Sequence, residues 1–307
     1  MNLPSEAPIS EGAGTEPRNR ETRGTLYLED GTVLKHSAYE GEQFVLRVSA
    51  PACAAHAEPG QFVHLTCDPA IPMRRPLSIL RASREEGWIE LLYKIVGPGL
   101  KALATRKAGE TLSLIGPIGR PFKAHRERPR AVLIGGGVGI PPMIFLAERL
   151  RASPEPYEPL VLMGSEIPFP FRARPSTLVV SGMPAGTIAC MPLLEEWGVA
   201  SRLASRAGFP GCFEGYVTEL AGERLGALSA RELDEVELFA CGPTPMLAAA
   251  AQLARRFGVP CQVSLEEFMA CGVGGCAGCT VRVRTPEGDA MKRVCVDGPV
   301  FDALSVF

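Results

Sequence analysis

The chain has 307 residues, 46% of them hydrophobic, and a formal net charge of −2. This length suits two or three globular domains, and the balanced charge excludes the basic surface that nucleic acids and anionic membranes require. No stretch approaches about eighteen consecutive apolar residues, and no charged-then-apolar leader opens the chain. Because the ten cysteines also lack disulfide-framework spacing, we expect a soluble cytoplasmic protein with neither nucleic acid nor membrane as a partner.

Residues 1–23 are rich in Pro, Glu, Gly, Ser and Arg and almost free of branched apolar residues. Such a composition cannot offset its ordering entropy by burial, so it predicts a disordered tail. A targeting peptide is the alternative reading, and the acidic residues argue against it.

Residues 24–124 contain short strands separated by turn signals, such as Glu-Pro-Gly at 58–60. About six strands within a hundred residues predict a small antiparallel β-barrel with one short helix, Leu100–Arg106. The predicted strands are Thr25–Leu34, Gln43–Val48, Gln61–Thr66, Leu77–Ala82, Trp88–Val96 and Thr111–Ile115.

The barrel carries a candidate dinucleotide site. Arg75 offers a planar guanidinium fork for a pyrophosphate, Ser78 adds a hydroxyl, and Gly99 allows close backbone approach at the start of a helix. An Arg-x-x-Ser pattern is a weak signal by itself, and a surface arginine with a turn glycine is the alternative.

Residues 125–262 alternate strands with helices, which predicts an open, mainly parallel sheet with ligands at its carboxyl edge. The expected strands include Ala131–Ile134 and Thr177–Ser181. After the first strand, the glycines of the turn before helix Met143–Arg151 predict a phosphate site, although the third glycine of G-x-G-x-x-G is missing and a ligand-free turn is the alternative. Cys241 ends a later strand, where its thiol could approach a nicotinamide or simply pack as a small buried residue. The candidate nucleotide-binding residues are Gly135, Gly136, Gly137, Gly139, Cys241, Gly242 and Pro243.

Residues 263–307 hold the most specific pattern, C-x4-C-x2-C-x15-C, formed by Cys271, Cys276, Cys279 and Cys295. Three thiolates on one glycine-rich loop and a fourth on a returning strand are typical of a plant-type [2Fe–2S] cluster. Structural zinc is the alternative, but zinc ribbons usually pair two Cys-x2-Cys knuckles and this segment has one.

Together these motifs resemble the electron-transfer subunits of class 1B dihydroorotate dehydrogenase, within the ferredoxin–NADP reductase superfamily. The resemblance covers roughly residues 24–307 and rests on five segments: Arg74-Arg-Pro-Leu-Ser78, Gly135-Gly-Gly-Val-Gly-Ile-Pro-Pro142, Cys241-Gly-Pro-x-Pro-Met246, Ser264-Leu-Glu266, and the cysteine loop with its Val294-Cys-Val-Asp-Gly-Pro-Val-Phe301 ending.

The resemblance implies three domains: a barrel that binds FAD, a parallel-sheet domain that binds NAD, and a small domain that binds one [2Fe–2S] cluster through the four cysteines. It also implies a heterotetramer with a catalytic subunit that carries FMN and oxidises dihydroorotate in pyrimidine biosynthesis. Electrons would pass singly through the cluster to FAD, which reduces NAD+. The implied FAD-binding residues are Arg75, Pro76, Leu77, Ser78, Leu92, Tyr93, Lys94, Gly99 and Leu100.

Glu166 follows the second predicted sheet strand, where a carboxylate can accept a ribose hydroxyl and repel a 2′-phosphate. This position predicts NAD rather than NADP, although Arg172 and Arg174 lie close in sequence. Related modules leave other assignments open: a subunit of a sulfide dehydrogenase, of an NADH-dependent ferredoxin–NADP reductase or of a cytoplasmic hydrogenase, or a flavin-free zinc module.

Overall fold

A computed structural model describes residues 26–307. The predicted tail at residues 1–23 lies outside the described residues. Within 26–307, no helix is long and apolar enough to cross a bilayer.

The first region is a closed antiparallel barrel, which confirms the predicted barrel. Its elements are β1 (Tyr27–Tyr39), β2 (Gln43–Ser49), α1 (Pro51–His56), β3 (Phe62–Leu65), β4 (Arg75–Ser83), β5 (Trp88–Lys94), α2 (Pro98–Leu103) and β6 (Thr111–Ile118). The strand order around the barrel is β1-β2-β5-β4-β3-β6. Successive side chains of a strand point to opposite sides. In β3, Val63 and Leu65 therefore fill the barrel core, while Phe62 and His64 face outward.

The second region alternates strands with helices, as the sequence predicts. Its longer strands are almost entirely buried and mainly apolar, which is typical of a parallel sheet covered on both faces. The elements are β7 (Arg130–Gly136), α3 (Ile140–Arg151), β8 (Leu160–Gly164), β9 (Arg174–Pro175), β10 (Ala189–Cys190), α4 (Pro192–Glu196), β11 (Ala200–Ala204), α5 (Val217–Gly226), α6 (Ala230–Leu233), β12 (Val236–Cys241), α7 (Thr244–Phe257) and β13 (Cys261–Ser264).

The third region contains the cysteine loop and a hairpin, and it ends by returning to the sheet. The hairpin is β14 (Thr280–Thr285) with β15 (Gly288–Arg293), followed by β16 (Val300–Asp302) and α8 (Ala303–Val306). The main sheet has the order β11-β8-β7-β12-β13-β16. Its first five strands are parallel and β16 is antiparallel to β13. The last strand of the chain thus belongs to the sheet of the second region.

The sheet order creates a topological switch point between β7 and β12. The chain runs from β7 outward to β8 and β11 and then crosses back to β12. At the carboxyl end, Gly135 pairs with Cys241. The glycine turn and the Cys241–Pro243 segment therefore meet where open α/β sheets bind their ligands.

The predicted strand at Thr177–Ser181 is wrong. The start of this segment hydrogen bonds to the carboxylate of Glu195 and does not pair with a neighbouring strand. The backbone N–H and the hydroxyl of Thr177 donate to Oε1 of Glu195 at 2.6 and 2.7 Å, and the hydroxyl of Ser176 donates to Oε2 at 2.8 Å. Hydroxyl side chains that bond locally compete in this way with strand pairing.

We expect Gly139→Ala to destabilise the nucleotide domain, because a Cβ added at Gly139 would overlap the carbonyl of Cys241. Overpacking of this kind costs about 1–3 kcal/mol in the free energy of unfolding. Thermal or denaturant unfolding measures the loss, with Gly226→Ala as the control, since a Cβ there meets nothing within 4 Å. Equal stability of the two variants would contradict the close approach of these two turns.

Candidate functional site

The four cysteines of the C-terminal loop come together as two pairs. The sulfurs of Cys279 and Cys295 lie 3.3 Å apart, and the Cys276 thiol lies close enough to Cys271 to lower the pKa of that thiol. Within residues 26–307, no three His, Cys, Asp or Glu side chains converge on a point for a single metal ion. Two pairs of thiolates suit two iron atoms better than the one tetrahedral centre of zinc.

The loop directs backbone amides toward its sulfurs. Gly272, Gly274 and Ala277 have left-handed φ angles of 67°, 83° and 54°. Burial raises the pKa of Cys271, but the amides of Val273, Cys276 and Gly275 and the Cys276 thiol outweigh burial and lower the pKa to about 7. A loop that stabilises a thiolate in this way also suits an anionic iron–sulfur cluster.

The segment around Cys295 holds the loop in place. The Nη1 of Arg293 donates to the carbonyl of Gly274 at 2.8 Å, and the backbone N–H of Arg293 donates to the Asp297 carboxylate at 2.8 Å. The N–H of Val294 donates to the carbonyl of Cys279 at 3.0 Å. Sequence reasoning did not single out Arg293 or Asp297; their positions two residues on either side of Cys295 were the available signal.

The outer face of β3 carries the cysteine loop. Phe62 packs in one apolar cluster with Cys279 and Cys295. His64 is only 1% exposed, and a Cβ added at Gly272 would lie 2.8 Å from its Nδ1. Burial lowers the pKa of His64, although the nearby carbonyls of Arg74 and Cys271 oppose the effect. His64 lies more than two hundred residues before the cysteines, so no local spacing in the sequence connects it to them.

The candidate FAD segment lies directly beside this face. In the β3–β4 ladder, Pro76 pairs with His64 and Ser78 pairs with Phe62. The guanidinium of Arg75 lies against Gly99, where an added Cβ would come within 2.9 Å of Nε. Any larger residue in place of Gly99 would therefore collide with the Arg75 guanidinium.

Several other candidate FAD residues point elsewhere. Leu77, Tyr93 and Leu100 are buried in the barrel core, and the Tyr93 hydroxyl lies 2.8 Å from Nε2 of His36. Their contacts with a bound cofactor would therefore be through the main chain. Leu92 is buried against the nucleotide domain, and Lys94 is half-buried at the end of β5.

The candidate NAD residues converge at the switch point. Gly136 approaches Met246 so closely that an added Cβ would lie 2.5 Å from its sulfur, whereas Gly137 is open and has a φ of 54°. Burial raises the pKa of Cys241 to about 12, and a hydrogen bond with Ser264 only partly opposes this. Cys241 is therefore a neutral thiol that shapes the edge of the sheet, and Gly242 and Pro243 follow it there.

Glu166 lies at the neighbouring strand ends. The register pairs Gly164 of β8 with Ala204 of β11, so the residues that follow are adjacent. The backbone N–H of Arg206 donates to Glu166 at 3.5 Å, and the guanidinium of Arg206 donates to the hydroxyl of Tyr216 and lies 5.0 Å from its ring centre. Neither Arg206 nor Tyr216 belongs to a motif that could be recognised in the sequence. Arg172 and Arg174 are exposed.

A barrel, a parallel-sheet domain and a cysteine loop in this order define a ferredoxin-reductase-like flavoprotein with an iron–sulfur domain. Among solved structures, that of an NADH-dependent reduced ferredoxin–NADP oxidoreductase has a TM-score of 0.72 at 27% identity and covers 90% of this chain and 89% of its own. A Neisseria gonorrhoeae ferredoxin NADP+ reductase with bound FAD and NADP shares the fold, with a TM-score of 0.55 at 15% identity over 75% of this chain and 92% of its own.

Residues 266–307 match the model of the iron–sulfur cluster binding domain of dihydroorotate dehydrogenase B. The electron transfer subunit of dihydroorotate dehydrogenase B (NAD(+)) from Caldanaerobacter subterraneus is 35% identical over 81% of this chain and 86% of its own length. That from Bacillus caldolyticus is 34% identical over 90% and 96%. The chain belongs to this family of electron transfer subunits.

Proposed function

We propose that the chain passes electrons from dihydroorotate, oxidised in a partner subunit that carries FMN, to NAD+ in pyrimidine biosynthesis. The observation that carries the proposal is the continuous arrangement of the three candidate sites. The cysteine loop packs on the outer face of β3, β3 pairs with the Arg75–Ser78 segment, and β4 packs against the helix that follows the glycine turn.

The residues of the barrel fit FAD. Arg75 donates from Nη1 to the carbonyl of Met73 at 2.7 Å, which fixes the side chain, while its Nε and Nη2 make no hydrogen bond within residues 26–307 and lie beside Gly99. These free donors can bind a pyrophosphate, and Ser78 on the same strand can orient the ring system. FAD supplies the exchange between hydride transfer and single-electron transfer.

The cluster assignment predicts that Cys276→Ser removes the iron–sulfur signal. The purified chain should hold about two irons and no zinc, and the variant should lose the cluster absorbance and the EPR signal of the reduced protein while it keeps its flavin absorbance. Cys212→Ser is the control, because Cys212 is half-buried outside the loop. A colourless chain with one zinc would contradict the assignment.

NAD specificity follows from the Glu166 carboxylate, which is exposed at the sheet edge and can accept a ribose hydroxyl. The guanidinium of Arg206 is directed to the hydroxyl of Tyr216, which leaves the Glu166 carboxylate without a guanidinium from this residue. This arrangement supports NAD as the nucleotide.

The NAD assignment predicts faster reduction of the bound flavin by NADH than by NADPH. Glu166→Gln should lower the preference about tenfold, because it removes a charge-assisted hydrogen bond to the ribose and the repulsion of a 2′-phosphate. Anaerobic stopped-flow absorbance with both nucleotides measures the ratio of the two reduction rates. Glu127→Gln is the control, because Glu127 is an exposed carboxylate between β6 and β7. Faster reduction of the unmodified protein by NADPH would sink the proposal.

Exposed apolar residues around the cysteine loop support a binding surface for a partner subunit there. Phe268 is 94% exposed, and Val273, between two cluster ligands, is also exposed. Large apolar side chains at an exposed position are typical of a protein–protein interface. We assign this face to the catalytic subunit and the assembly to a heterotetramer of two chains of each kind. Within residues 26–307, the six cysteines outside the cluster loop form no disulfide, which supports a cytoplasmic location.

A second candidate is the corresponding subunit of an NADH-dependent ferredoxin–NADP reductase, because the structure of such an enzyme aligns over 90% of the chain. The electron donor distinguishes the two. A complex that accepts electrons from dihydroorotate supports the first proposal, whereas one that ignores dihydroorotate and exchanges electrons with ferredoxin supports the second.

A further inference from the structure

His64 is a buried polar side chain whose ring nitrogens lack a well-formed hydrogen bond. It is 1% exposed, and within residues 26–307 neither Nδ1 nor Nε2 makes a hydrogen bond of good geometry, although the carbonyls of Arg74 and Cys271 lie near the ring. Buried polar groups in native proteins are nearly always hydrogen bonded, so each exception needs an explanation. A group that binds the folded protein and accepts from the ring would provide one.

The ring lies between the two proposed redox sites. On one side, His64 pairs across the ladder with Pro76 of the FAD segment. On the other side, its Nδ1 faces Gly272, the residue after the cluster ligand Cys271. The His64 ring can lie this close to the loop because residue 272 is a glycine. A Cβ at this position would lie only 2.8 Å from Nδ1.

We propose that His64 is a positioning residue for electron transfer, whose Nδ1–H donates a hydrogen bond to a sulfur of the bound cluster. The inference rests on the proposed function, since it needs the cluster on the four cysteines. Hydrogen bonds to cluster sulfurs stabilise the additional negative charge of the reduced state and so raise the reduction potential. His64 therefore favours electron arrival at the cluster next to FAD.

Three substitutions separate the two ring nitrogens. His64→Asn places an amide donor near the position of Nδ1, His64→Gln places one near Nε2, and His64→Phe keeps a ring without a donor. His56→Phe is the matched control, because His56 is an exposed barrel histidine whose Nε2 lies 3.3 Å from the hydroxyl of Tyr27.

The test is a redox titration of the complex with its catalytic partner, with the cluster followed by EPR and the flavins by absorbance. In the Phe and Gln variants, the equilibrium constant for electron transfer from reduced FAD to the cluster should fall about tenfold, as expected for loss of a hydrogen bond to a charged group. The Asn variant and the control should remain close to the unmodified protein.

A second measurement does not depend on the variants being stable. With ¹⁵N-labelled histidine, pulsed EPR of the reduced unmodified complex should show hyperfine coupling between the cluster and one histidine nitrogen. Absence of this coupling would overturn the inference, as would an unchanged cluster potential in the Phe variant or a shift confined to FAD. A protein that binds neither FAD nor cluster would instead overturn the proposed function.

Discussion

The contact on which the structure depends is the packing of the cysteine loop against the outer face of β3. Phe62 meets the buried pair Cys279 and Cys295. The chain then returns through β16, which adds to the sheet beside β13, while the N–H of Arg120 donates to the carbonyl of Gly298 at 2.5 Å. Anchors on both domains hold the loop at a set position, as a site built on rigid elements requires.

The same strand pair extends the arrangement to the nucleotide. Arg81, three residues after Ser78 in β4, forms a 2.6 Å ion pair with Glu148 of α3. Leu80 and Leu92 of the barrel share an apolar core with Ile140 at the start of that helix. Because α3 begins at the glycine turn, this packing sets the distance between the candidate FAD segment and the candidate NAD site at the sheet edge.

The features of this structure that are encoded in short stretches of sequence could be predicted, whereas those that depend on contacts between separate elements could not. The cysteine spacing and the alternating barrel strands are contained in short stretches, so the cluster loop and barrel could be predicted. The return of β16 to the sheet depends on pairing between strands that are far apart in the sequence, and the pairing of His64 with Pro76 depends on the register of β3 and β4. The approach of Arg206 to Tyr216 depends on the conformation of the connection between β11 and α5. The false strand at Thr177–Ser181 had the right composition, but Glu195 lies elsewhere in the sequence and binds its donors.

The most direct test of the account is turnover by the complex isolated from native cells with this chain. Dihydroorotate and NAD+ are supplied anaerobically, and NADH is measured. NADH should form, and its formation should stop when Cys276 is replaced by serine, because electrons must cross the cluster to reach FAD. A coloured complex whose flavin NADH reduces but which forms no NADH from dihydroorotate would contradict the assigned electron donor.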